Sequence, residues 1–150
     1  GRSDSRLGRW RELRQFIAQK FQKTSPRPLL VSLVSFGYRY GLPTDADLVF
    51  DVRFLPNPHF VLQLRRYSGK DQRVARYIRS FPQTGEFLRR IEGLLAYLIP
   101  HYIREGKSYL TIAIGCTGGR HRSVMLAQAI SRALTRRGYT AKVVHRDIDH

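Results

Sequence analysis

The chain has 150 residues, with 27 Lys and Arg against 11 Asp and Glu, for a formal net charge of +16. One domain with a conventional core is expected at this length, and a hydrophobic content of 42% excludes disorder across the whole chain. No apolar run approaches the roughly 18 residues needed to cross a bilayer, and no secretory signal opens the chain. The single cysteine, Cys116, excludes an intrachain disulfide framework and an all-cysteine metal site. A reducing, cytoplasmic setting is expected. The first residue is Gly1 and the sole methionine is Met125, so the chain is expected to be cut from a longer protein.

Trp10, Leu13, Ile17 and Phe21 recur at helical spacing and predict an amphipathic helix over residues 9–22. The stretch 23–28, with Pro26 and Pro28, reads as a linker, so residues 1–28 form a basic helix-and-linker segment ahead of a domain at 29–150. Leu29 to Phe36 reads as a buried strand and Asp47 to Val52 as a second one. Residues 54–60, with Pro56 and Pro58 at alternate positions, form a rigid loop. Asp71 to Phe81 is expected to be helical, with Arg73, Arg76 and Arg79 on a common face. A longer helix runs from Thr84 to about Glu105, and Pro100 is expected to kink it. Tyr109 to Gly115 is the clearest strand, His121 to Arg137 a helix closed by Gly138, and Thr140 to His145 the last strand. Strands alternating with helices predict an α/β fold, a small and mainly parallel sheet with helices on both faces, preceded by the N-terminal helix.

The charge is uneven. Residues 1–28 hold eight basic and two acidic side chains, and residues 65–90 hold eight basic ones against Asp71 and Glu86. Such an excess attracts phosphate-bearing partners, although a solvated basic surface that maintains solubility gives the same count.

The densest chemistry lies at residues 115–123, GCTGGRHRS. A strand, a glycine-rich turn and a helix start together make an anion site, because main-chain N–H groups and the helix N-terminus converge there. Thr117 and Ser123 add hydroxyls, and Arg120 and Arg122 add forked donors suited to phosphate. A tight turn with solvent-facing arginines is the plainer alternative. Cys116, five intervening residues, Arg122 and Ser123 also fit the loop of cysteine-dependent phosphatases, in which a thiolate attacks phosphorus. Against catalysis, glycine precedes the cysteine, and no general acid stands out among Asp45, Asp47, Asp51 and Asp71. Gly106-Lys107-Ser108 is not a P-loop, since His101 occupies the position of the first glycine and the triplet precedes a strand.

Residues 31–145 resemble the C-terminal domain of the RapZ family of RNase adapter proteins. The resemblance rests on residues 35–43 (SFGYRYGLP), 45–59 (DADLVFDVRFLPNPH), 106–123 (GKSYLTIAIGCTGGRHRS) and on His145-Arg146. It implies a cytosolic bacterial domain that binds an amino-sugar phosphate and, in one branch, small RNAs presented to an RNase. The family's P-loop half is not in this sequence, so nucleotide hydrolysis is not carried over. The resemblance groups Ser35, Phe36, Gly37, Asp51, Arg53, His59, the loop Cys116, Thr117, Gly118, Gly119, Arg120, His121, Arg122 and Ser123, and His145 and Arg146 into one ligand site.

Other readings of these residues remain open at this level. His59, held between prolines, is placed either to meet a ligand oxygen or to order its own loop. Asp51 and Arg53 share a strand face, as a structural pair or with Asp51 holding a sugar hydroxyl or an amine. Tyr38 and Arg39 follow Gly37 at a strand end, where loops carry function. Arg73, Arg76 and Arg79, beside Tyr67 and Tyr77, are candidates for RNA phosphates and bases. The five histidines show no metal-ligand spacing on one helix face, and no motif calls for a cofactor. The expected partners are a phosphorylated small molecule such as an amino-sugar phosphate, and RNA or an RNase. No membrane is expected as a partner, and the assembly is expected to be homo-oligomeric.

Overall fold

The computed structural model describes residues 8–9, 11–14 and 29–150. Residues 8–9 and 11–14 are helical, and the rest of the amphipathic helix expected over 9–22 lies outside the described residues, as does the linker.

Four strands follow: β1 (Leu30–Gly37), β2 (Leu48–Asp51), β3 (Tyr109–Cys116) and β4 (Thr140–His145). They form one sheet in the order β2-β3-β1-β4, and all three pairings are parallel. The register sets Gly37 beside Cys116, Ser35 beside His145 and Asp51 beside Gly115, so the carboxyl ends of all four strands meet at one edge. In parallel α/β sheets that edge is where ligands bind.

Three helices complete the fold: α1 (Gln72–Arg79), α2 (Pro82–Arg104) and α3 (Arg122–Arg136). Asp71 caps α1, its side chain accepting from the Arg73 N–H at 2.8 Å. α2 begins two residues earlier than the periodicity predicts because Pro82 occupies the first turn, where its missing N–H costs nothing. The helix continues beyond Pro100 to Arg104.

The core joins Val31 and Leu33 of β1 and Leu110, Ile112 and Ile114 of β3 to Val74 and Ile78 of α1, Ile91, Leu95 and Ile99 of α2, and Met125, Leu126, Ile130 and Leu134 of α3. Burying each large side chain contributes about 1.5–3 kcal/mol. The strand members alternate in sequence and therefore share one side of the sheet. The expectation of helices on both faces is thus narrowed: among the described residues the helical core packs on one side. The other side presents Ser32, Val34 and Thr111 around a shallow recess edged by residues 42–45, and leaves Val49, Tyr109 and Val144 exposed.

Candidate functional site

β3 ends at Cys116 and α3 begins at Arg122, so residues 117–121 are a loop at the carboxyl edge of the sheet. Glycines let it sit close to its neighbours. Gly119 adopts φ +80°, and a Cβ at Gly37 would lie 2.4 Å from the Gly118 carbonyl carbon. On another flank the Gly69 N–H donates to the Arg120 carbonyl at 2.7 Å, and a Cβ at Gly69 would stand 2.2 Å from the His121 oxygen. The loop is therefore clasped by main chain. Among the described residues nothing accepts a hydrogen bond from the main-chain N–H groups of residues 117–122. Unmet N–H groups at a helix start are what an anion satisfies.

Arg122 is only 4% exposed. Its Nη1 donates to the carbonyls of Arg53 (2.7 Å) and Leu55 (2.9 Å), and its Nη2 to Thr117 Oγ1 (3.4 Å). Its Nε is buried without a partner among the described residues. Burial lowers the pKa of this guanidinium, opposed by Cys116 and Asp51. A buried charged donor left unpaired is costly, and an anion would meet it. Cys116 Sγ lies 3.1 Å from Ser123 Oγ and accepts from the Ser123 N–H at 3.4 Å.

Arg120 and His121 are partly committed elsewhere. Arg120 Nε donates to the Ile148 carbonyl and its Nη2 to the Arg66 carbonyl. His121 Nε2 lies 3.2 Å from the Arg65 carbonyl, and burial lowers its pKa, which favours the neutral ring as a donor there.

Above the loop is a cleft of about 440 Å³. Its walls come from Arg39 and Tyr40 after β1, from Asn57, His59 and Phe60 in the proline-stiffened loop, and from His150 near the C-terminus. Tyr40 and His150 stack at 4.0 Å between ring centroids. Cys116, Thr117, Gly118, Arg120, His121 and Arg122 complete the lining, which among the described residues contains no carboxylate.

Of the residues grouped from sequence, the structure brings His59, Cys116, Thr117, Gly118, Arg120, His121 and Arg122 to the cleft, whereas Arg146 borders the recess on the other side of the sheet. Ser35 Oγ and His145 Nδ1 are 2.7 Å apart, and burial, with Lys70 adding to it, lowers the His145 pKa. Gly37 N–H donates to Asp147 Oδ2 at 2.8 Å, and Arg146 grips the same carboxylate. Burial alone would raise the Asp147 pKa, but Arg146 and the Gly37 N–H hold it below the usual range. Asp51 and Arg53 form a bidentate pair, 2.7 Å at its shortest, and the Arg53 guanidinium lies 3.9 Å from the Tyr38 ring centroid. Arg73 pairs with Asp71, whose pKa falls to about 2 through that contact, and stacks 3.8 Å from the Tyr67 ring. Arg76 and Arg79 are exposed. Arg79 also lines a second cavity of about 330 Å³ between α2 and α3, with Arg89, Arg132 and Arg136.

Tyr40, Asn57, Phe60, His150, Gly69 and Asp147 were not singled out from sequence. Asn57 lies between two prolines in the loop already marked by His59, so it could have been found. The contributions of Gly69 and Asp147 depend on contacts with residues far away in the chain. Among the described residues no three His, Cys, Asp or Glu gather as metal ligands would, and no helix is long and apolar enough to cross a membrane.

Residues 29–149 match the model of the RapZ C-terminal domain. The chain is 60% identical over 139 residues to a nucleotide-binding protein of Koribacter versatilis, covering 91% of this chain and 45% of that protein. It is 59% identical over 138 residues to one of Solibacter usitatus (91% and 43%) and 50% identical over 141 residues to one of Clostridium botulinum (93% and 48%). The chain therefore spans less than half the length of these curated relatives.

Proposed function

Because the chain belongs to the RapZ C-terminal domain family, we propose that it is a cytoplasmic, regulatory ligand-binding domain whose 116–122 loop holds the phosphate of an amino-sugar phosphate. The observation that carries this reading is the buried, unpartnered Nε of Arg122 beside a run of unpaired loop N–H groups. Together they present donors to a small anion at the start of α3, where the helix dipole adds partial positive charge. Thr117 Oγ1 stands at the same place, and the cleft above has the volume of a small-molecule pocket. On this reading His59, which lines the same cleft, meets a sugar hydroxyl. The name nucleotide-binding belongs to relatives about twice as long, and no P-loop motif occurs in this chain.

The exposed arginines support a second role, engagement of RNA. Arg79, Arg89, Arg132 and Arg136 face one groove, and an interaction built on such contacts weakens steeply with salt. Absent or salt-insensitive RNA binding contradicts this role.

The test of the ligand reading is a thermal-shift titration with glucosamine 6-phosphate. The wild-type chain is expected to show a saturable rise in Tm, and Arg122→Ala none. A wild-type chain that responds to no sugar phosphate ends this reading.

A further inference from the structure

We propose that Cys116 is a nucleophile, and that the loop accepts a phosphoryl group onto its sulfur from a compound whose leaving group departs without a proton: an acyl phosphate or an activated aryl phosphate. The inference rests on the phosphate-binding reading above and adds a reaction to it.

Three observations converge on the sulfur. The spacing of Cys116, Arg122 and Ser123 puts the cysteine at the end of a strand and the arginine at the first turn of a 15-residue helix. The Cys116 side chain is nearly buried yet forms part of the cleft wall. There its sulfur faces the Ser123 hydroxyl at 3.1 Å and accepts the Ser123 N–H at 3.4 Å. The sulfur thus sits at the α3 N-terminus beside both polar groups of Ser123. The free Nε of Arg122, buried in the same wall, supplies a donor for a phosphoryl oxygen.

Among the described residues no Asp or Glu lines the cleft; Asp51 is tied to Arg53, and Asp147 to Arg146 and the Gly37 N–H. An alkyl phosphate needs a proton on its departing alkoxide, which in the described lining only the imidazoles of His59, His121 and His150 could carry. A carboxylate or a stabilised phenolate leaves as the anion.

In the first step the Sγ electron pair forms the S–P bond while the P–O bond breaks, its electrons leaving with the carboxylate or phenolate. In the second, water adds to phosphorus and the P–S bond breaks. The sulfur departs as thiolate, steadied by the Ser123 hydroxyl, the water proton passes to solvent, and inorganic phosphate is released. Ser123 is a positioning residue in this scheme.

The experiment incubates the 150-residue chain with acetyl phosphate or p-nitrophenyl phosphate. It follows phosphate release and, after rapid quenching, the mass of the peptide carrying Cys116. The expected result is one phosphoryl group on that peptide and turnover that falls by about 10³-fold or more in Cys116→Ser. Ser123→Ala is expected to accumulate the phosphocysteine, because loss of the thiolate is the step it steadies. The wild-type adduct needs no variant and so does not depend on how Cys116→Ser folds. No adduct, with equal turnover in wild type and Cys116→Ser, overturns this inference while leaving glucosamine 6-phosphate binding intact. An adduct in a chain that binds no sugar phosphate would keep it and remove the ligand reading.

Discussion

Arg122 and Arg73 are the same residue type in opposite situations. Arg122 is 4% exposed, spends one nitrogen on two main-chain carbonyls and keeps its Nε unpaired. Arg73 is exposed, pairs with the Asp71 carboxylate two residues away and lies over the Tyr67 ring. The first is built into the loop by residues 53–55, distant in sequence. The second is satisfied by its neighbours and by water. Net charge counts them equally, but desolvation makes an unpaired donor costly only for Arg122, and only there does a single bound anion relieve it. Among the described residues the basic side chains thus divide into a few arginines around a cleft and many that are exposed.

The contrast can be broken most forcefully at Arg122. Arg122→Ala removes the hydrogen bonds to the Arg53 and Leu55 carbonyls and the free donor together. It is expected to cost about 2–4 kcal/mol in chemical denaturation and to abolish glucosamine 6-phosphate binding in calorimetry. Gly37→Ala attacks the loop without touching its charge. Its Cβ would meet the Gly118 main chain at 2.4 Å, where neither partner is a flexible side chain. A loss of about 1–3 kcal/mol is expected, with weakened ligand binding as the loop shifts.

A smaller effect is expected from pH. His121 and His145 have their pKa values lowered in the folded state, chiefly by burial. Below about pH 6.5 the unfolded chain then takes up protons that the folded one refuses, so stability falls as pH drops. Tm should decline from pH 7 to pH 5, and less so in a His121→Gln, His145→Gln variant. An unchanged slope would contradict the assignment. The smallest effect belongs to Arg73→Ala: stability indistinguishable from wild type and no change in glucosamine 6-phosphate affinity, with any RNA affinity reduced. A large loss of sugar-phosphate binding in Arg73→Ala would erase the distinction between the two sets.

Local pattern carried much of the fold. Alternation and apolar runs marked β1 and β3, helical spacing marked α1 to α3, and the glycine-rich stretch after β3 marked the loop. The start of α2 was missed by two residues because Pro82 was not recognised as a first-turn proline. Apolar strands such as Tyr109–Cys116 suit burial on both faces, and among the described residues the helical core draws on one. In the site, the place of the glycine-rich loop between β3 and α3 was legible because residue type and spacing define it. The roles of Arg120, His121, Asp147 and Gly69 were not, because each depends on a partner whose distance in sequence leaves no local trace. Arg120 reads as a phosphate fork, yet it holds the Ile148 and Arg66 carbonyls.

The central claim is that one anion belongs at the 116–122 loop. A crystal structure of the chain with glucosamine 6-phosphate tests it most directly. The account predicts a phosphate on the loop N–H groups and Arg122 Nε, with the sugar in the cleft beside His59. A phosphate bound instead among the exposed arginines of α1 and α2, with the loop vacant at saturating ligand, would contradict it.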